Sequence, residues 1–399
     1  MNDTRRFFIL PGAFLMQLCL GATYSWSVFV RPIRELTGLS QGWVQLPFTV
    51  FYFAFPATMM FSGFFLQKLG TRRSSIIGGL LFGGGWMLAS FGEHHFPLVV
   101  LGIGLLAGIG VGLAYIVPIA VCVRWYPQRK GLVTGIAVAG FGGGAALVSQ
   151  LAGTMIERWG WTPYSAFGAL GACFLLLVSA AGLTMRQPPG AGETQPYRWK
   201  ASAIIRQKAF RMAYLAMVTG LAAGFTVNAN LKDISATGAT ETGLLAVSLF
   251  AVANGAGRLL WGAMFDKVRS ATAMGTNLIL QALVLLAGQW LLSSGSGFLF
   301  FAIATGFNYG GVLVLYASTA ARIWGAENVG PIYGLLFSAN ILAAPAPLLA
   351  GMVFDSTGSF LVSRIFLAIL MMGSVAAISL RRGVLNEVRQ FRETFGRPG

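Results

Sequence analysis

Arg258 is the residue that most demands a chemical explanation. It stands in the apolar run Ala251-Val-Ala-Asn254-Gly-Ala-Gly-Arg258-Leu-Leu-Trp261, four residues after Asn254. At that spacing on a helix the two side chains face the same way. A charge deep in such a run costs roughly 2.5–3.5 kcal/mol on membrane-insertion scales, and a partner normally offsets it. The long apolar runs contain no carboxylate to serve. Asp3, Glu35, Glu93, Glu157, Glu193, Asp233, Glu241, Asp266, Glu327, Asp355, Glu387 and Glu393 all fall in termini, in loops or at run ends. A guanidinium fork fits a carboxylate bidentately, so the spacing points to a bound small anion. Backbone carbonyls, Asn254 itself or snorkelling toward the interface are the alternatives.

Tyr24, Tyr115 and Tyr309 lie near the middle of other apolar runs, where their hydroxyls could donate to an anion. Anchoring at the membrane interface is their competing role, and mid-run depth argues against it. Trp26 and Phe141 either wall such a cavity or simply pack. Nothing else in the chain offers catalysis. Gly102-Ile-Gly104-Leu-Leu-Ala107 imitates a dinucleotide fingerprint, but it lies inside an apolar run with no strand before it. His94 and His95 share a short polar loop, and Cys19, Cys122 and Cys173 are scattered through the runs. No nucleophile–base set and no metal-ligand spacing appears. The expectation is therefore a non-enzyme without catalytic residues, metal or cofactor.

Positioning these residues falls to helices in a bilayer. Hydrophobic residues make up 56% of 399 positions and charged residues 10%, where a soluble domain carries about 25% charged residues. Apolar runs long enough to span a bilayer recur from end to end. They do not alternate as barrel strands would, and lipid leaves the backbone no other solution than helix. Twelve spans are expected, near 7–30, 43–66, 74–92, 97–123, 131–156, 163–185, 209–231, 240–264, 271–293, 297–321, 331–354 and 359–380. The net charge of +16 is a topology signal and not a nucleic-acid footprint. Most Lys and Arg, among them Lys68, Arg72, Arg73, Arg124, Arg198, Lys200, Arg206, Lys208, Lys267 and Arg269, fall on one side of these spans. By the positive-inside bias that side is the cytoplasm, and both termini lie there.

The polar stretch around 186–208 is the one long linker. It divides the chain into an N-terminal six-helix half, 1–185, and a C-terminal six-helix half with a short basic tail, 209–399. The halves echo each other at an offset near 199: Gly63-Phe-Phe-Leu-Gln67-Lys68 corresponds to Gly262-Ala-Met-Phe-Asp266-Lys267, and Arg124-Trp125 to Arg322-Ile-Trp324. Parallel six-helix repeats suggest a transporter with its site at the midplane between them.

Further motifs carry a resemblance. They are Tyr24-Ser25-Trp26, Gly108-Ile-Gly110-Val-Gly112-Leu-Ala-Tyr115, Arg124-Trp-Tyr-Pro127-Gln-Arg129-Lys-Gly131, Asn254-Gly-Ala-Gly-Arg258 with Trp261-Gly262, and Tyr333-Gly334. Together they resemble the major facilitator superfamily, and within it the oxalate/formate antiporters and their bacterial monocarboxylate-transporting relatives. The resemblance implies an all-α membrane protein, twelve transmembrane helices in two six-helix halves, in a bacterial inner membrane. It implies alternating access by a monomer around an anion site that includes Arg258. The oxalate-carrying members have a lysine a few residues after the Tyr-Gly pair, and here Asn340 follows instead. With one cation where a dicarboxylate would want two, the expected substrate is a monocarboxylate of the lactate, pyruvate or formate type, carried with protons. Asn340 either bonds that substrate or makes a helix–helix contact. An oxalate/formate-type exchanger is the alternative, and a non-transporting membrane sensor the more distant one.

Overall fold

The computed structural model describes residues 6–126, 130–188, 201–234, 240–324 and 329–379. The loop motif around Pro127–Arg129, most of the linker and the basic tail lie outside the described residues. Among those described, every regular element is helical. Twelve long helical stretches follow one another: α1 (6–37), α2 (41–60), α3 (Ser62–Ala89), α4 (97–125), α5 (130–158), α6 (Pro163–Thr184), α7 (Lys208–Ile234), α8 (Thr240–Lys267), α9 (Ser270–Leu291), α10 (Gly295–Trp324), α11 (329–357) and α12 (Leu361–Ser379). A short helix, Ala201–Ile205, precedes α7. Nine helices among the described residues are long and apolar enough to cross a membrane, and these are all the stretches except α2, α3 and α5. In α3 the first turns carry Lys68, Arg72 and Arg73, and the helix bends at Gly70, whose φ of 73° suits a residue without a Cβ.

Two faces can be distinguished. Gly12, early in α1, lies against Thr184 at the end of α6. Trp324 at the end of α10 donates its indole N–H to Gln207, 2.7 Å away, just before α7. The start of α1 and the start of α7 thus share one face, the linker face. The α1–α2, α3–α4, α5–α6, α9–α10 and α11–α12 connections lie on the opposite, far face, where the end of α11 meets the start of α2.

Close helix packing comes from small residues, because lipid gives helices no hydrophobic reason to associate. A Cβ at Gly21 would meet the carbonyl of Phe141 at 1.9 Å, and one at Gly144 the carbonyl of Leu18 at 1.8 Å. α1 and α5 therefore touch backbone to backbone. α8 and α10 do the same at Gly257, Gly306 and Gly310.

Three helices are discontinuous at mid-depth. α1 tightens into a 3₁₀ turn over Gly21–Ser25. The hydrogen-bond ladder of α4 breaks at Tyr115, three residues before Pro118. α11 breaks at Ser338 and again beside Pro345 and Pro347, whose rings supply no N–H. Irregular backbone at membrane depth is tolerated where it lines a cavity or is buried in protein.

Candidate functional site: an arginine among tyrosines

The breaks in α1 and α4 surround Arg258. Backbone contact between α8 and α10 carries Asn254 and Arg258 to the seam between the first six and the last six stretches. The Arg258 Nε donates to Asn254 Oδ1 at 3.2 Å, and the Asn254 amide points at the Gly306 carbonyl, 3.5 Å away. Asn254 thereby fixes the direction of the guanidinium. The hydroxyl of Tyr115 lies beside it, and those of Tyr24, Tyr309 and Tyr333 lie within its electrostatic reach. The ion pairs among the described residues, Arg31–Glu35 and Lys232–Glu157, leave Arg258 without a carboxylate.

The tyrosines fall into two layers. Tyr24 and Tyr309 share a hydroxyl–hydroxyl hydrogen bond of 2.9 Å across the seam, and Tyr52 lies parallel to Tyr24 with ring centroids 6.2 Å apart. All three are buried. Phe225 and Phe48 pack on them from the far-face side. Tyr115, Tyr333 and Arg258 keep part of their surface accessible. Arg258 and Tyr115 stand beyond the midpoints of α8 and α4, toward the linker face. Phe55 of α2 meets Phe337 of α11 at 5.6 Å between centroids, and Phe55 also packs edge-on against Tyr115. Phe141, pressed into place by the α1–α5 contact, sits edge-on to both Tyr24 and Tyr115. An anion at Arg258 would therefore meet one cation, several neutral hydroxyls and aromatic walls.

Of the residues singled out from sequence, Arg258, Asn254, Tyr115, Tyr24, Tyr309 and Phe141 come together. Trp26 does not join them. It stacks on Phe167 at 6.3 Å inside the first six stretches and lines a small void with Thr23, Phe51 and Trp86. Two residues after Tyr24, Trp26 points to nearly the opposite side of the helix. Asn340 is buried, and its amide donates to the Phe337 carbonyl of its own helix at 2.6 Å. Two residues join that the sequence reading left out of the site. Tyr333 donates to the Leu313 carbonyl at 2.9 Å while facing Arg258, and Tyr52 completes the sealed layer. Mid-run depth, the signal used for the other tyrosines, also marks Tyr52. Gln17, fully buried, donates to the Tyr115 carbonyl at 2.9 Å and braces the break in α4. Among the described residues no group of three or more His, Cys, Asp or Glu could hold a metal ion.

The family profile described as Major Facilitator Superfamily matches residues 13–235. The chain belongs to the major facilitator superfamily. It is a multi-pass membrane protein and a transporter rather than an enzyme, like its relatives. It is 25% identical to the oxalate:formate antiporter of Oxalobacter formigenes, over 85% of this chain and 82% of that protein. It is 26% identical to apicoplast pyruvate carrier 1 of Toxoplasma gondii, over 84% of this chain and 80% of that one. Among solved structures, a bacterial homologue of the human lysosomal transporter Spinster shares the fold with a TM-score of 0.70, 13% identity and full coverage of both chains.

Proposed function

We propose that the chain is a secondary carrier for small monocarboxylates, of the lactate, pyruvate or formate type, moving them with protons by alternating access. The observation that carries this reading is Arg258: a cation oriented by Asn254, beside the Tyr115 hydroxyl, within electrostatic reach of three further tyrosines and lacking a carboxylate partner among the described residues. A carboxylate of the substrate completes it, bound by the guanidinium fork. Asn340, where the resemblance to oxalate carriers implies a lysine, favours one carboxylate over two. The relatives include a pyruvate carrier. The reading includes two six-helix halves, 1–185 and 209–399, joined by the cytoplasmic 186–208 linker, with both termini in the cytoplasm of a bacterial inner membrane. Cysteine labels at Glu193 and Glu393 should react from the cytoplasm and one at Glu93 from outside; Glu193 and Glu93 labelled from one side would overturn that topology.

The experiment is uptake of labelled lactate or pyruvate into empty proteoliposomes under an inward proton gradient. Uptake driven by the gradient, and lost in Arg258→Ala, is the expected result. One observation favours a second reading, anion exchange: an empty carrier would have to reorient with a bare arginine charge in its centre. The oxalate:formate antiporter among the relatives is of that kind. Uptake that needs a preloaded internal anion and ignores the gradient decides for exchange.

A further inference from the structure

The far face of the seam is closed by polar contacts that follow the internal repeat. Glu157, at the end of α5, pairs with Lys232, near the end of α7, with Oε1 and Nζ 2.5 Å apart. The position corresponding to Glu157 in the second repeat is Asp355, and the position corresponding to Lys232 in the first is Arg34; both pairs are 198 positions apart. Asp355, near the end of α11, spreads its carboxylate over the start of α2. Oδ1 accepts the Gln41 N–H and Oδ2 the Gly42 N–H, each at 2.9 Å. Those N–H groups belong to the unsatisfied first turn of a helix, where a negative charge is favoured. Arg34 stands beside this contact, its guanidinium 5.8 Å from the ring of Phe354. The helix ends correspond too: Gly160 and Gly358, also 198 positions apart, both adopt the left-handed conformation after α5 and α11.

The space between these two contacts is filled by amides and by one further carboxylate, Asp233, which lies within electrostatic reach of Arg34 and Lys232. Gln41 and Gln45 both donate to Asn230 Oδ1 at 2.9 Å, and Gln41 also donates to Asp233 at 3.1 Å. Gly351 and Gly42 approach so closely that a Cβ on Gly351 would lie 2.9 Å from the Gly42 Cα. All of these contacts join a helix of the first six to a helix of the last six. None involves the Arg258 site.

We propose that Glu157 and Asp355 are repeat-related locks that hold the far face shut, one on a lysine and one on a helix start, and that both part when this face opens. Each lock spans the seam, so separating the two sets of helices breaks both at once. A carboxylate on peptide N–H groups also needs a particular helix end in place, so it reports closure and not merely proximity.

The test measures separation of the far-face loops in the full chain, independent of any substrate. Spin labels go on His94→Cys, in an exposed loop, and Ser296→Cys, at the exposed start of α10, both away from the locks, with Cys19, Cys122 and Cys173 replaced by alanine. Double electron–electron resonance in lipid gives the distance distribution. Glu157→Lys and Asp355→Lys should each raise the long-distance population about threefold or more, in keeping with the modest worth of partly exposed polar contacts. Lys232→Glu should bring the Glu157→Lys distribution back. Asp355→Asn should give a smaller rise, because an amide keeps one acceptor and loses the charge. If the reversals fold, as judged by size exclusion and thermal unfolding, and leave the distribution unchanged, the locks are refuted. Failure of Lys232→Glu to restore it refutes the Glu157 lock. If the reversals do not fold, an unchanged distribution in Asp355→Asn refutes the Asp355 lock.

Discussion

The first six helices and the last six follow one repeat but are filled with different chemistry. The interior of the first six is an aromatic cluster: Trp26 stacks on Phe167, and Trp86 meets Phe167, Phe82 and Phe174 edge-on. The interior of the last six is studded with amides. Asn277 donates to the Asn308 carbonyl at 2.9 Å, and Gln281 is buried, 199 positions after Phe82. The one arginine of the site, with the asparagine that orients it, also belongs to the last six. Polar groups at membrane depth are expensive and cluster where function needs them. The comparison therefore teaches a division of labour. The first six provide a stiff aromatic wall against which the charged half works.

The largest expected effect falls on the charged half. Arg258→Ala should lower uptake by roughly 100-fold or more, as expected when one partner of a buried charge-assisted contact is removed. Arg258→Lys should also fail to restore it, because the planar fork is lost. Normal uptake by either well-expressed variant would erase the asymmetry. In the aromatic half, Trp86→Ala should cost stability, about 3–5 kcal/mol by analogy with large-to-small core changes. It should leave the substrate KM of the remaining folded protein unchanged. A change in KM at constant stability would mean that the first six helices shape the site chemically as well as mechanically.

Substrate preference comes next in size. Asn340→Lys should move competition from monocarboxylates toward dicarboxylates, read by inhibition of labelled lactate uptake with oxalate. Because Asn340 turns its amide to its own backbone, no shift would mean that position 340 is a packing residue of α11. Tyr309→Phe removes the hydroxyl pair across the seam and should cost about 1 kcal/mol, the net worth of one hydrogen bond, near fivefold in apparent affinity. The smallest effect belongs to Gln281→Leu. Replacing a buried amide by an apolar group of similar size should leave thermal stability unchanged or slightly raised. A loss of several kcal/mol would show that the amides of the last six form a connected network.

Composition and run length were enough to read helices in a bilayer, because lipid allows a chain this apolar no other regular backbone. The offset near 199 exposed the repeat, and the lack of carboxylates inside the apolar runs isolated Arg258 as a charge in need of a partner. Those conclusions need only local rules. The sequence could not tell which aromatic side chains surround that charge. Tyr24 and Trp26 are two residues apart and so face nearly opposite ways on a helix, but only packing decided that Tyr24 takes the seam and Trp26 the interior of the first six helices. Asn340 looked like a substitute for a lysine, and a hydrogen bond within its own turn occupies its amide. Tyr333 reached the site because α8 and α10 touch backbone to backbone and bring Arg258 toward α11. Helical periodicity gives the direction of a side chain only along an unbroken helix. Where α1, α4 and α11 break, the direction is set by contacts between helices far apart in sequence, and those exist only in the folded protein.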